Sequence, residues 1–152
     1  MNDIQSAIVD VQLILRRSGQ VLLLLRKNTG YEDGNFHLPA GHVMSYEDAI
    51  TATIRETKEE IGITVFPNDM QFAGIVHRLA DRPRTSFFFS TCKWYGMLTN
   101  CEPEKCGALV WYPIHDLPTN IVPFIRVALE CQHTRPFCIC FDWDSQESKV
   151  CL

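Results

Sequence analysis

One helical segment set among strand-like segments is the feature that most limits how this chain can fold. From Ser45 to Gly62 the residues follow a 3.6-residue period. Ile50, Ile54, Thr57 and Ile61 fall on a stripe about 60° wide that suits packing on a sheet. Ser45 is the expected N-cap, Asp48 stands in a capping-box-like place, Glu47 and Asp48 add negative charge to the first turn, and Gly62 fits the C′ position.

The flanking segments have strand character. Ala7–Arg16 and Gln20–Arg26 read as a hairpin about Ser18-Gly19, and a polar loop, Asn28–Asn35, leads into the short extended stretch Phe36–Pro39. Further strands fit Gln71–Arg78, Thr85–Tyr95, Ala108–Tyr112 and Phe137–Trp143, with a second helix over Val122–Gln132. Strands before, between and after two helices predict an α/β fold with a mixed sheet. The 152 residues, 46% of them hydrophobic, suit a single domain over the whole chain.

Charge and cysteine content narrow the function. The net charge is −4 and no basic stripe is present, which argues against a long nucleic-acid partner. An acidic chain acting on a small polyanion needs a cation between the two. The longest wholly apolar run, Val21–Leu25, is too short to cross a bilayer, and the N-terminus lacks an export pattern, so no membrane role and a cytoplasmic location are expected. Seven cysteines without a CxxC pair support free thiols, with Cys138 and Cys140 on one face of a strand. Cysteines and aromatic residues near the C-terminus leave a homodimer contact open.

The carboxylates of the first helix carry the chemistry. Relative to Ile50, Glu59, Glu56 and Glu60 project at about 180°, 240° and 280°, an arc expected to lie away from the apolar stripe. Such like-charged pairs cost roughly 0.2–0.5 kcal/mol each unless a cation offsets them. Oxygen-only ligands select a hard cation, here Mg²⁺, with Mn²⁺ as an alternative.

The wider frame reads Gly41, five residues, Glu47, seven residues, then Arg55-Glu56-Thr57-Lys58-Glu59-Glu60-Ile61-Gly62-Ile63. It resembles the box GX5EX7REUXEEXGU of the Nudix hydrolase family at every fixed position. Thr57 stands where the family prefers an aliphatic residue, and Ala40 where many members carry a second Gly. The resemblance implies an α/β/α sandwich and hydrolysis within the phosphate chain of a nucleoside diphosphate linked to another moiety. It implies metal ligands at Glu59 and Glu60, with Glu56 as a further ligand or general base, Arg55 as its orienting partner, and Glu47 as an orienting or helix-start residue. Glu56, Arg55 and Glu59 are thus the expected catalytic set.

Other site residues follow from the same resemblance. A main-chain carbonyl near Ala40 or Gly41 is a candidate ligand. Glu102 and Glu104 are candidates for a later acidic residue, with Glu104 preferred on its spacing to Trp111. Asn120 lies where MutT-type members read a purine, and Phe36, His37, Phe87 and Phe89 are candidates to line a base pocket; His37, His42 and His77 receive no catalytic role. The compact layout is similar to MutT-type nucleoside triphosphate pyrophosphohydrolases. ADP-sugar or dinucleoside-polyphosphate hydrolysis, a non-catalytic nucleotide sensor, and an RNA-decapping member weakened by the missing basic channel are the alternatives.

Overall fold

The computed structural model describes residues 2–131, 136–143 and 148–151, the last group as backbone only. Its strands are β1 (Ile8–Arg17), β2 (Gln20–Arg26), β3 (Phe36–His37), β4 (Ala40–His42), β5 (Gln71–Leu79), β6 (Pro83–Thr91), β7 (Cys106–Pro113), β8 (Phe137–Phe141) and β9 (Ser148–Cys151). The helices are α1 (Ala49–Ile61) and α2 (Pro123–Cys131). The expected end of the second helix, Gln132, lies outside the described residues.

The sheet is mixed, as expected. Its main path runs β3-β2-β1-β6-β5-β8-β9, with β4 on β1 and β7 on β2. β1 runs parallel to β6 and β5 parallel to β8, whereas the other pairings are antiparallel. Both faces are covered, which is why β1 and β2 read as nearly continuous apolar runs. Val11, Leu13, Leu15, Leu22 and Leu24 pack on the side of α1, and Ile14, Val21, Leu23, Phe88 and Ile139 on the side of α2. The two-residue turn at Ser18 and Gly19 takes positive φ at both positions, the form that matches strand twist in a tight hairpin.

Several boundaries differ from the sequence expectation. A strand over Thr85–Tyr95 is replaced by Pro83–Thr91, because the chain leaves β6 to bridge back, Tyr95 pairing with Thr64. Phe137–Trp143 ends as a strand at Phe141, where Asp142 turns with positive φ. β4 and β9 have no counterpart in the sequence reading. β4 is three residues long and holds Gly41 at its centre.

The first helix corrects two further expectations. Its N-cap is Asp48, not Ser45: Asp48 Oδ1 accepts from the Thr51 N–H at 2.8 Å and Oδ2 from the Thr51 hydroxyl at 2.9 Å. Glu47 therefore precedes the helix, and no acidic residue occupies the first turn. The packed face is also rotated. Ile50 is 41% exposed, and the buried residues are Ala52, Thr53, Thr57 and Ile61. Three of these are small, so the helix approaches the sheet closely. The Thr57 hydroxyl, which replaces an aliphatic side chain, donates to the Thr53 carbonyl at 2.6 Å and is buried satisfied. The helix ends as expected, with Gly62 left-handed at φ 74° and its N–H donating to Lys58 O.

Asp48→Ala should lower unfolding free energy by about 0.5–2 kcal/mol in denaturant titrations, whereas Ser45→Ala should stay within about 0.5 kcal/mol of wild type.

Candidate active site

The rotation of α1 sets the position of every acidic side chain. Glu56 and Glu60 do not face away from the core; both are half-buried, beneath the edge of the sheet at β4. Glu60 Oε1 accepts the Ala40 N–H at 3.2 Å. Gly41 makes room for Glu56, because a Cβ at that position would collide with the Glu56 carboxylate. The glycine is therefore required by the space that the carboxylate takes, and its φ is ordinary.

Arg55 organises the group. Its Nε donates to Glu47 Oε1 at 2.8 Å and Nη2 to Glu47 Oε2 at 3.0 Å, a two-pronged pair. Nη1 reaches Glu56 Oε1 at 2.8 Å and Glu59 Oε2 at 3.2 Å, and Nη2 also reaches the His42 carbonyl at 2.9 Å. Five contacts match the five N–H donors of a guanidinium. Glu47, principally, holds the Arg55 charge, raising its pKa above the ordinary range. Glu47 has a structural tie of its own, since its Oε2 accepts from Met44 N.

The three box carboxylates are not equivalent. The Glu59 side chain is 53% exposed and leans on Arg55. Burial raises the Glu56 pKa, and Arg55 opposes that shift. Burial pushes Glu60 well above the usual carboxylate range, the Ala40 N–H opposes it, and the charges of Glu56 and Glu102 push it further. The carboxylates do not form a closed cage: among the described residues no three His, Cys, Asp or Glu side chains are close enough to hold a metal ion unaided.

The later loop supplies Glu102. Cys101 N donates to Glu60 O and Thr99 N to Ile61 O, so the loop is fastened to the end of α1. Glu102 then lines a cavity of about 150 Å³ together with Glu60, Arg26, His37, Ala40 and Lys105. Glu104, preferred from the sequence, is exposed and offers only its backbone carbonyl, to Asn28 Nδ2. Spacing along the chain could not show which of two nearby carboxylates the loop turns inward.

A second cavity, about 180 Å³, opens on the other face of β4. Arg26, His37 and Ala40 line both cavities. Burial, with a smaller push from Arg26, lowers His37 to about 3, so its imidazole is neutral near pH 7. The wall is completed by Val122, Phe124 and Ile125 at the start of α2 and by Asp10, Gln12 and Arg78 on the sheet. Asp10 and Gln12 carry a signal in the sequence: they alternate with apolar residues along β1 and so share one face.

Phe36, Phe87, Phe89 and Asn120 line neither cavity. Phe36 is 7% exposed and packs edge-on to Tyr112. Phe87 and Phe89 pack on the α1 side. Asn120 is exposed, its side chain donates to Gly34 O at 2.9 Å and its carbonyl accepts from Phe36 N, so it ties the Asn28–Asn35 loop to the segment before α2.

Comparison with known proteins agrees with the fold. Residues 6–130 match the model of the NUDIX domain, and the chain belongs to this family of hydrolases. The fold is similar to that of a MutT NUDIX hydrolase from Burkholderia pseudomallei, with a TM-score of 0.76 and 27% identity over 83% of this chain and 98% of that one. It is also similar to the E. coli ORF135 protein, with a TM-score of 0.72 and 25% identity over 83% and 88%. The MutT protein from Methanosarcina mazei Go1 shares the fold, with a TM-score of 0.72 and 23% identity over 85% and 94%. Nudix hydrolases act on nucleoside diphosphate-linked substrates. Among the described residues no helix is long and apolar enough to cross a membrane.

The electrostatics of Glu60 give a pH test. Its folded-state pKa lies above the ordinary 4.5, so the folded chain holds a proton that the unfolded chain releases, and stability is lost as pH rises from below 4.5 through the folded value. Glu60→Gln keeps an oxygen for the Ala40 N–H. Without divalent cations it should melt above wild type at pH 8, by about 2–4 °C for each 1 kcal/mol relieved, and lose that advantage near pH 4. A wild-type advantage at pH 8 would show that the charge is already compensated.

Proposed function

We propose that this chain is a Mg²⁺-dependent pyrophosphohydrolase of nucleoside triphosphates, with Mn²⁺ as an alternative metal. The observation that carries the reading is the paired burial of Glu56 and Glu60 at the edge of β4, where Glu60 lines a cavity of about 150 Å³. Two carboxylates half-removed from water, with a third charge at Glu102, lack a full complement of cationic partners: Arg55 reaches Glu56, and a backbone N–H reaches Glu60. An all-oxygen donor set of this kind fits a hard divalent cation.

Glu60 and Glu56 would hold the cation, with Glu59, Glu102 and a main-chain carbonyl at Ala40 or Gly41 within the same group. When bound, the metal neutralises phosphate oxygens and lowers the pKa of a water molecule. The chain's own contribution is positioning. Arg55 spans Glu47, Glu56, Glu59 and the His42 carbonyl and so fixes the helix against β4. Glu56, its pKa raised by burial, would be the acceptor for a proton from the attacking water. Arg26 and Lys105 line the Glu60 cavity and offer positive charge to the phosphate chain.

The cavity across β4 takes the nucleoside end. Its apolar wall, formed by Val122, Phe124 and Ile125, suits a ring rather than a phosphate. Cys92, Cys101, Cys106, Cys138 and Cys140 are free, which supports a reducing compartment such as the cytoplasm.

Product release should be measured from (d)NTPs, oxidised (d)NTPs, ADP-ribose, nucleotide sugars and dinucleoside polyphosphates, with Mg²⁺ and with EDTA. Turnover of triphosphates to monophosphate and pyrophosphate is expected, abolished by EDTA and reduced at least a hundredfold in Glu59→Gln, whose exposed side chain leaves the fold intact. Preference for ADP-ribose or a nucleotide sugar would overturn the triphosphate reading. A rise in melting temperature with nucleotide but no turnover would instead indicate a sensor.

A further inference from the structure

The cavity across β4 contains a buried polar cluster that the hydrolytic chemistry does not use. Asp10 is 4% exposed, Gln12 5% and Arg78 7%. Arg78 Nη2 donates to Asp10 Oδ2 at 3.2 Å, and Gln12 Nε2 donates to Asp10 Oδ1 at 3.2 Å. The Arg78 guanidinium also lies 4.0 Å from the centre of the Phe124 ring, which fixes it from the other side. Both Asp10 oxygens are thereby engaged from within the protein.

This arrangement decides which way the Gln12 amide faces. A carboxylate accepts hydrogen bonds and cannot donate them, so the Gln12 nitrogen must lie against Asp10; the reversed amide would set oxygen against oxygen. Oε1 is consequently turned to the other side, where it has no hydrogen-bond partner among the described residues. Arg78 Nε and Ser86 Oγ are buried without a partner as well, and Ser86 is the register neighbour of Asp10 on β6. Buried polar groups are nearly always satisfied, and two of these exceptions, on Gln12 and Arg78, belong to residues that line the cavity, which points to a ligand that completes them.

The topology says which part of the substrate arrives there. In the β1–β4 pairing, Asp10 lies opposite His42 and Gln12 opposite Ala40, so these four share a face. Gly41 lies between them on the opposite face, against Glu56. The phosphate-cleaving group and the polar cluster are therefore on opposite sides of a three-residue strand. With the phosphates held on the α1 side, the group that reaches Gln12 is the base.

We propose that the Gln12 side-chain oxygen reads an N–H donor on the substrate base, and that the enzyme thereby selects nucleotides whose inserted ring edge carries an amino or ring N–H. This rests on the triphosphate reading above. Asp10 and Arg78 are positioning residues: they hold the amide in the accepting orientation. A site with a buried acceptor rejects an analogue lacking the donor more strongly than an apolar pocket does, because the acceptor is then left unpaired.

The test compares matched nucleotides differing at one N–H-bearing group: ATP with purine riboside triphosphate, GTP with inosine triphosphate and with N1-methyl-GTP, and CTP with its analogue lacking the 4-amino group. Wild type should favour the N–H-bearing member of at least one pair by about tenfold or more in kcat/KM. Gln12→Met should reduce that preference to within about threefold, mainly by raising KM for the favoured nucleotide while kcat changes little. Should Gln12→Met melt more than about 5 °C below wild type, Gln12→Asn, which withdraws the oxygen by one methylene, takes its place with the same expectation. A preference that survives the substitution, or a wild type that treats both members of every pair alike, overturns the role of Gln12. A wild type that turns over no triphosphate at all overturns the functional reading itself, a separate outcome.

Discussion

The arrangement of this site depends on one guanidinium. Arg55 joins Glu47 before the helix, Glu56 and Glu59 on the helix, and the His42 carbonyl on the sheet edge. Without it, α1 would carry acidic side chains with little to oppose their repulsion, and β4 would lose a direct tie to the helix. A lysine could not replace it, since a point charge with three donors cannot span four partners in a plane. The two-pronged pair with Glu47 gives physical content to a spacing of seven residues between an acid and a base, a spacing that places both on the same side of the helix only because Glu47 lies before the helix start.

Small residues make the rest of the geometry feasible. Gly41 leaves space for Glu56, and Ala52, Thr53 and Thr57 let α1 settle close to the sheet. That approach draws Glu56 and Glu60 partly out of water. Burial is costly for a carboxylate, and here it falls on the groups that a cation would relieve. The same three-residue strand separates two environments: carboxylates on the α1 face, and an apolar wall with a few polar groups on the α2 face. Arg26, His37 and Ala40 border both, so the two cavities adjoin through them.

Much of the fold was legible in the sequence because its signals are local. Alternating and continuous apolar runs located β1, β2 and β5, and Gly62 marked the end of α1. The box spacing marked the helix that carries Glu56, Glu59 and Glu60. What was not legible depends on tertiary context. Ser45 and Asp48 are equally good caps by type, and the choice between them follows from where the loop docks. The apolar stripe from Ile50 to Ile61 indicated a packing face, but the sheet selected a neighbouring face built from small residues. Glu102 and Glu104 stand two apart in a loop, and only the bonds from Thr99 and Cys101 to the end of α1 decide between them. Phe36 and Asn120, candidates for contact with a base, line neither cavity: Phe36 packs against Tyr112 and Asn120 joins two loops. Asp10 and Gln12, which the sequence reading did not single out, are two polar residues on one face of an apolar strand.

The central claim is that Arg55 and Gly41 place Glu56 and Glu60 to bind a divalent cation at the edge of β4. Anomalous scattering from crystals grown with Mn²⁺ tests it most directly. The account predicts an anomalous peak at about 2 Å from a Glu56 or Glu60 carboxylate oxygen, beside the Ala40–Gly41 backbone. A peak confined to another part of the molecule, or an empty site at millimolar Mn²⁺, would contradict it.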